Sequence, residues 1–377
     1  MALAYAVNQG AQVAGQYVNN KPSPYPTAPG PPGGQAASYY QQGQPQQHQQ
    51  PHPGYQQQGY NPGYVQQQQQ QQQHQPAYGA AVPMQGGQGG GSAATNPQLI
   101  LNALRQGVQD QNLQAFYPPG SLEQLAQRIA QTGALARIAA DWRLPMEVAM
   151  DLSRLALVDV QLFIDDSGSM AFEENGSRID DAKLIVSRVA QAASLFDTDG
   201  IQVFFMNSHA VGHGITSEQQ AQQLLSTVTF SGLTPLGTSL ERKVLQPLVH
   251  AAVSGTLRKP VLVIAVTDGE PASEERYKIV HAIKAAKNAL SQTRHGPDAL
   301  SVELAQVGND QKATAFLHEI DTHPEVGRMV DVTGTFENES AQMQQATGIA
   351  LSPDLWLIKL LLGALSSEYD SHDERRR

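Results

Sequence analysis

Three clusters of oxygen-bearing side chains in the sequence could bind a cation if the fold brings them together. The first cluster, residues 165–169, reads Asp-Asp-Ser-Gly-Ser and directly follows an apolar run. In extended backbone, alternate side chains point the same way, so Asp165, Ser167 and Ser169 can face one point. A carboxylate combined with hydroxyl groups is a hard oxygen set that suits Mg²⁺, Mn²⁺ or Ca²⁺.

The two other clusters carry the same kinds of side chain. Thr267 and Asp268 follow the apolar run Val261–Val266, and a glycine comes next. A further polar stretch, residues 232–238, reads Gly-Leu-Thr-Pro-Leu-Gly-Thr and precedes a segment with helical spacing of apolar residues. The hydroxyl groups of this stretch, that of Thr234 among them, could complete an oxygen-lined site.

The elements that must position these clusters are strands and helices in alternation. From Val158 onward, short apolar runs alternate with helical patterns, which predicts a doubly wound α/β fold with a mainly parallel sheet. Such sheets bind ligands just outside the carboxyl ends of the strands, where the strand order reverses. The predicted strands are Val158–Ile164, Ile201–Met206, Val261–Val266, Val302–Val307 and Met329–Val332.

The order and spacing of the clusters resemble the metal-ion-dependent adhesion site (MIDAS) of von Willebrand factor A (VWA) domains. Asp-x-Ser-x-Ser follows the first strand, Gly-x-Thr-Pro lies in a loop, and Thr-Asp-Gly follows a later strand. The resemblance spans roughly residues 158–347. It implies a site in which one Mg²⁺ (or Mn²⁺) is held by Asp165, Ser167, Ser169, Thr234 and Asp268.

The resemblance also implies a function, which is divalent-cation-dependent protein binding without catalysis. Mg²⁺ requires oxygen ligands in near-octahedral geometry. Because most of the protein's ligands would be neutral hydroxyls, the ion would stay electrophilic, and an Asp or Glu carboxylate of a partner protein would fill the open position. We therefore predict a protein-binding module and not an enzyme.

Other polar side chains near the clusters have simpler interpretations. The alternation of extended backbone aims Asp166 away from the ion. The acids Glu173, Glu174 and Glu270 could tune the charge of the site, but we favour solvated loop acids. His209 and His213 lie four residues apart in a segment that we interpret as a Gly-rich surface loop.

The N-terminal segment, residues 1–95, is rich in Gln, Gly, Pro and Tyr and contains an unbroken run from Gln66 to Gln73. Lys21 is the only charged residue before Arg105. Such a segment has too little aliphatic surface to offset a backbone entropy cost of about 1–2 kcal/mol per residue, so we predict disorder. Both a prion-like, self-associating tail and an inert solvated tail fit this composition.

The segments that flank the α/β pattern are predicted to be helical. Residues 96–156 carry apolar residues at helical spacing, with Pro97 at a first helical position and Ser121 as an N-cap. Their charges balance, so we expect packing or docking and not DNA binding. The segment from Leu355 to Leu365 is apolar nearly all round its helix and must be buried, most simply in its own core.

These patterns divide the chain into four parts. They are a disordered tail (1–95), a helical region (96–156), a VWA domain (157–347) and a C-terminal helix with a charged end (348–377).

The composition argues against some classes of partner and metal site and indicates where in the cell the protein works. The net charge of −10 disfavours binding to nucleic acid, and the absence of cysteine excludes disulfides and Cys-ligated zinc. Residues 1–20 lack the basic and apolar parts of a secretory signal, and no stretch approaches the roughly 20 apolar residues of a membrane span. We expect a cytoplasmic protein.

Two alternative functions compete with the binding module. A metal-dependent hydrolase of the haloacid type would need aspartate where Ser167 stands, and the Gly-x-Ser-x-Gly, Gly-Lys-Ser/Thr and His-Glu-x-x-His motifs are absent. A scaffold or condensate-forming adaptor, driven by self-association of residues 1–95, is compatible with metal-dependent binding by the folded part.

Overall fold

The computed structural model describes residues 93–366, except residues 328 and 349, together with Tyr369. These residues contain a six-stranded sheet in the order β3-β2-β1-β4-β5-β6. Every neighbouring pair is parallel except β2 with β3. The strands are β1 (Asp159–Ile164), β2 (Ile201–Phe205), β3 (Val211–Ile215), β4 (Val261–Thr267), β5 (Leu300–Gln306) and β6 (Val330–Thr333). This confirms the predicted fold class.

The strand order reverses between β1 and β4. The chain proceeds from β1 outward to β3 on one side, and from β4 outward to β6 on the other. β1 and β4 pair in register from Asp159 opposite Val261 to Ile164 opposite Val266, so their carboxyl ends are level. The loops after these two strands therefore open into the crevice where doubly wound sheets bind ligands.

The central strand β4 shows why this sequence forms a sheet covered on both faces. Its seven residues are all buried. Because side chains of a strand alternate, Leu262 and Ile264 enter the core on one face, and Val263 and Ala265 enter the core on the other. A continuous run of β-branched and other apolar residues is what a parallel strand between two helical layers requires.

Helices form a layer on each face of the sheet. The first layer contains α1 (Pro97–Asp110), α2 (Ser121–Thr132), α3 (Ala134–Asp141), α4 (Met146–Asp151), α5 (Gly168–Phe172), α6 (Ser177–Phe196), α7 (Glu218–Ser226), α12 (Phe336–Thr347) and α13 (Pro353–Leu362). The second layer contains α8 (Leu236–Leu240), α9 (Gln246–Val253), α10 (Lys278–Ser291) and α11 (Gln311–Asp321). A π-helical turn, Glu241–Leu245, joins α8 to α9.

Local capping explains where several of these helices begin. The Asn96 side chain accepts a hydrogen bond from the backbone N–H of Gln98, and Pro97 occupies the first turn of α1. The Ser352 hydroxyl accepts from the backbone N–H of Leu355 in the same way at the start of α13. Each cap satisfies a backbone donor that the first helical turn leaves without a partner.

The helices before β1 and after β6 share a core with the sheet. Ile100 of α1, Ile264 of β4 and Leu361 of α13 belong to one continuous cluster of buried side chains. Trp356 of α13 also donates its indole N–H to the carbonyl of Gly334, which follows β6. The apolar C-terminal segment thus packs on the sheet of its own chain, and the helical region, the α/β part and the C-terminal helix share one core.

Some local features differ from the sequence predictions. Strand β3 was not predicted, because Gly212 and Gly214 weaken the strand pattern of a segment that we interpreted as a loop. Gly212 lets the hairpin lie close to α7, since a Cβ atom there would be 2.5 Å from the Leu224 side chain. Ser121 is not the N-cap of α2. Gly120 holds that position with φ 88°, and the Ser121 hydroxyl donates to the Pro118 carbonyl.

The predicted disordered tail lies outside the described residues as far as residue 92. Residues 93 and 94 form a helical turn, and Ala94 is buried in the core. The described part of the chain thus includes the last three residues that we assigned to the tail.

Among the helices that the structure describes, none combines the length and the apolar character needed to cross a membrane.

A buried acid pair lies in the sheet beneath the C-terminal segment. Glu303 of β5 is fully buried and lies opposite Asp331 of β6 in the strand register. Gly363 packs directly on the pair, since a Cβ atom there would lie 1.7 Å from Asp331 Oδ2. Burial, followed by the negative charge of Asp331, raises the pKa of Glu303 well above its ordinary value.

We predict that Glu303→Gln stabilises the protein increasingly as pH rises above the ordinary pKa of a glutamate, about 4.3. A carboxyl whose pKa is higher in the folded state contributes its full stability below the unfolded pKa and loses it as pH rises through the folded pKa. The amide never ionises, so its advantage should grow by up to about 1.4 kcal/mol per pH unit between the unfolded and the folded pKa, where the Glu303 carboxyl is charged only in the unfolded chain. Thermal unfolding at several pH values measures this difference.

The exposed Glu147 provides the control for this prediction, and Glu147→Gln should change the melting temperature little at any pH. A stabilising effect of Glu303→Gln that is flat with pH, or that shrinks as pH rises, would contradict the buried-acid interpretation.

Candidate metal centre

The loops after β1 and β4 bring two carboxylates to the point where the strand order reverses. Asp165 directly follows β1, and Asp268 directly follows β4. The backbone N–H of Asp165 donates to the carbonyl of Val266 at 2.9 Å, which continues the ladder one residue past β1. Both side chains are fully buried.

The first loop folds its hydroxyl groups toward these carboxylates. The Asp165 carboxylate accepts a hydrogen bond from the backbone N–H of Ser167 at 2.9 Å, which turns the loop directly after the strand. Ser167 is extended, and α5 begins at Gly168. The hydroxyls of Ser167 and Ser169 lie 3.0 Å apart, so the two side chains share one side as predicted. The predicted reason was wrong, because Ser169 lies in α5 and not in extended backbone.

Two hydrogen bonds join the β1 loop to the β4 loop. The Ser169 hydroxyl donates to Asp268 Oδ1 at 3.0 Å. In the other direction, the Thr267 hydroxyl donates to Asp165 Oδ2 at 2.7 Å. Asp165, Ser167, Ser169 and Asp268 therefore form one hydrogen-bonded group, and Thr267 orients it from the end of β4.

The fifth predicted ligand, Thr234, lies in the loop that precedes α8, and the backbone holds this loop against the first one. Gly168 N–H donates to the Gly232 carbonyl at 3.1 Å, and Ser231 N–H donates to the Asp166 carbonyl at 2.7 Å. Thr234 itself is buried. These bonds hold the loop that carries Thr234 against the first loop.

The start of α8 is also held from the β4 side. The Glu274 carboxylate accepts the backbone N–H groups of Gly237 and Thr238 at 2.7 and 2.8 Å. The backbone N–H of Ala272 donates to the Thr234 carbonyl at 3.0 Å. Residues after Asp268 thus hold both Thr234 and the start of α8, so the position of the loop is set from β4 as well as from β1.

Asp166 faces away from this group and supports the neighbouring loop. Its two carboxylate oxygens accept the backbone N–H groups of Asn207 and Ser208, each at 2.7 Å. The Lys243 ammonium of the π-helical turn donates to the carbonyls of Met206 and Ser208, which ties the same loop down from the second helical layer. The sequence interpretation of Asp166 agrees with this geometry.

The charged groups of the site are the carboxyl groups of Asp165 and Asp268 and the guanidinium of Arg178. Burial, followed by the charge of Asp268, raises the pKa of Asp165 to about 6, although hydrogen bonds from Ser167 and Thr267 oppose this shift. Arg178 donates to Asp268 Oδ2 at 2.7 Å, and both side chains are buried. One guanidinium therefore serves a site that contains two buried carboxyl groups.

This donor set fits a hard divalent cation. The described residues contain no group of three or more His, Cys, Asp or Glu side chains that could hold a metal ion. A cation here would instead rely on two carboxylates and on hydroxyl groups, the oxygen ligands that Mg²⁺ and Mn²⁺ accept. It would add the positive charge that two adjacent buried carboxylates lack.

Several residues that matter to the site were missed or misjudged in the sequence. Thr267 was seen only as part of a motif, yet it orients Asp165. Glu174 is not a solvated loop acid, because its carboxylate accepts hydrogen bonds from Arg178 and from the backbone N–H of Asn309. A Glu four residues before an Arg, at the start of a helix, was the available signal for this pair. Glu270 does lie at the surface, where it pairs with Arg276.

We predict that Asp166→Ala lowers the free energy of unfolding by about 2–4 kcal/mol, because it leaves backbone donors of Asn207 and Ser208 without their acceptor. Urea unfolding measures the change. Asp180→Ala, which removes an exposed acid paired with Lys183, is the matched control and should cost less than about 1 kcal/mol. Equal losses in the two variants would show that Asp166 does not support this loop.

Comparison with known proteins identifies the domain that carries the site. The family model vWA-TerF-like, described as the vWA found in the TerF C terminus, matches residues 157–347. No curated protein matches the chain. The match confirms the VWA-type domain that the three motifs predicted, and it covers just over half of the sequence. The chain belongs to the vWA-TerF-like family.

Proposed function

We propose that this protein is a divalent-cation-dependent protein-binding module and that it is not an enzyme. In this proposal one Mg²⁺ (or Mn²⁺) is held by Asp165, Ser167, Ser169, Thr234 and Asp268, and it coordinates an Asp or Glu carboxylate of a partner protein. The observation that carries the proposal is the hydrogen-bonded group of carboxylates and hydroxyls at the reversal of strand order.

The hydrogen bonds of the site support a preformed binding centre. Thr267 and the backbone of Ser167 hold both oxygens of Asp165, so this carboxylate is fixed before any ligand arrives. The hydroxyls of Ser167 and Ser169 are neutral donors, so a bound cation would keep enough positive charge to attract one more carboxylate. When bound, the ion supplies a position that a partner's carboxylate can occupy.

The rim of the site is suited to contact with another protein. Phe172, at the end of α5, is 83% exposed, and Leu233, next to the predicted ligand Thr234, is 58% exposed. A Cβ atom at Gly168 would lie 3.7 Å from the Phe172 ring, so the ring lies beside the first turn of α5. Large apolar side chains that remain exposed beside a polar centre are typical of protein interaction sites.

We predict that Asp165→Ala abolishes cation-dependent partner capture while the fold stays intact. The variant removes one of two carboxylates from the site, so Mn²⁺ affinity should fall at least about tenfold in isothermal titration calorimetry. Affinity capture from lysate, with Mg²⁺ and with EDTA, should then lose the same proteins in the variant as in the chelator.

Asp180→Ala again removes an exposed acid, here as the control for charge alone, and should capture the same proteins as the wild type. Capture that is undiminished in Asp165→Ala, or in EDTA, would refute the proposed mechanism.

We predict that Phe172→Ser reduces recovery of the Mg²⁺-dependent partners by about tenfold, because an exposed aromatic at a binding centre contributes strongly to affinity. Mn²⁺ affinity should stay within about twofold of wild type, since the Phe172 side chain offers the ion no ligand. Val253→Ser, at a 70% exposed position at the end of α9, is the control and should leave recovery unchanged. A parallel loss in both variants, or a loss of Mn²⁺ binding with Phe172→Ser, would argue against this rim.

A further inference from the structure

Arg178 connects the candidate metal centre to a second loop of the protein. It lies in the first turn of α6 and is only 2% exposed. Its Nη1 donates to Asp268 Oδ2 at 2.7 Å. Asp268 Oδ1 accepts from the Ser169 hydroxyl at 3.0 Å, so the two oxygens of this carboxylate have different surroundings. Only one of them faces the hydroxyl groups of the site.

The other edge of the guanidinium is held by two acids. Nε and Nη2 of Arg178 donate to Glu174 Oε1 at 3.0 and 2.8 Å, and Nη2 also donates to Glu173 at 3.1 Å. A planar guanidinium with donors on several edges can bridge carboxylates in this way, which a lysine ammonium cannot do with the same geometry. Arg178 therefore shares its positive charge between Asp268 and the acids of the turn before α6.

The backbone around Arg178 keeps the guanidinium in this position. Glu174, Asn175 and Gly176 are consecutive residues with positive φ (47°, 57° and 82°), a conformation that costs energy at the first two. Asn309, after β5, donates its backbone N–H to Glu174 at 2.9 Å. Gly308 lies so close that a Cβ atom there would be 2.4 Å from Arg178 Nε. The turn before α6 and the loop after β5 thus enclose the side chain.

We propose that Arg178 is a positioning residue of the metal centre, which restrains Asp268 and lowers its effective charge. Asp268 then presents one oxygen, Oδ1, toward the hydroxyls and keeps the other on the guanidinium. A cation in the site meets less negative charge than two free carboxylates would offer, so the protein binds it more loosely and leaves it able to attract a partner's carboxylate. This inference rests on the proposed function.

A purely structural role for Arg178 makes the opposite prediction for cation binding. If Arg178 only holds the turn of residues 174–176, removing it loosens the site and weakens the binding of a cation. If it restrains Asp268, removing it frees a carboxylate for the cation and strengthens binding, because the cation then replaces the lost positive charge.

The test is Mn²⁺ titration of the full chain, followed by the electron paramagnetic resonance signal of free Mn²⁺. Arg178→Gln should bind Mn²⁺ at least about tenfold more tightly than wild type, as expected when a fixed positive charge close to a cation site is removed. Arg276→Gln is the matched control. It removes an arginine that pairs with the acids Glu270 and Glu319 and makes no contact with Asp268 among the described residues, so affinity should change less than about twofold. Unchanged or weaker binding in Arg178→Gln overturns the inference.

A second variant decides the question if Arg178→Gln does not fold, which far-ultraviolet circular dichroism would reveal. Glu174→Gln keeps the oxygen that accepts from Asn309 but removes the charge that competes with Asp268 for Arg178. The guanidinium should then interact more fully with Asp268, so Mn²⁺ should bind several-fold more weakly while the free energy of unfolding in urea without metal changes by less than about 1 kcal/mol. A turn that is only loosened would lower both the affinity and the free energy of unfolding. Glu270→Gln removes a surface carboxylate after β4 and is its control. Unchanged or tighter binding in Glu174→Gln, or an equal loss in Glu270→Gln, overturns the inference.

Failure of the inference and failure of the proposed function give different results. If the wild type does not bind Mn²⁺, or if Asp165→Ala binds it equally well, the metal centre itself is wrong. If the wild type binds, Asp165→Ala does not, and Arg178→Gln matches the wild type, only the role of Arg178 is wrong.

Discussion

The site depends on the crowding of two buried carboxylates at one edge of a parallel sheet. Asp165 and Asp268 follow adjacent strands whose ends are level, so the register of β1 with β4 forces them together. Folding moves both acids out of water, which is unfavourable unless they gain hydrogen bonds or positive charge. The neighbouring hydroxyls and Arg178 meet part of this need, and the cation that we propose would meet the rest.

Two separate sets of hydrogen-bonding groups hold these carboxylates, one set for each aspartate. The backbone of the first loop and Thr267 fix Asp165, while Arg178 and Ser169 fix Asp268. Asp166, the next residue in the chain, is also held by hydrogen bonds, but to the loop after β2, which it anchors. Neighbouring aspartates in one short loop thus have separate tasks, which follow from the opposite directions of their side chains.

The parts of this structure that local patterns determine were predictable from the sequence. The buried run of β4 and the polar clusters after β1 and β4 predict a doubly wound sheet, and the resemblance of the motifs to VWA domains led to the family. Contacts between distant segments were not predictable. Arg178 reaches Asp268 across 90 positions, and Glu174 reaches Asn309 across 135. Strand β3 was missed because Gly212 reflects close packing against α7, which no local pattern records.

The shared core of the sheet and its flanking helices has a practical consequence. Leu135, Trp142 and Leu155 before β1, and Ile358 and Leu361 after β6, are buried together with side chains of the sheet. A recombinant fragment cut at the limits of the family match, residues 157–347, would present that face of the α/β layer to solvent. Because the exposed face is apolar, such a fragment would aggregate. Crystallisation and binding assays need a longer fragment that begins near residue 93 and keeps the helix that ends at Leu362.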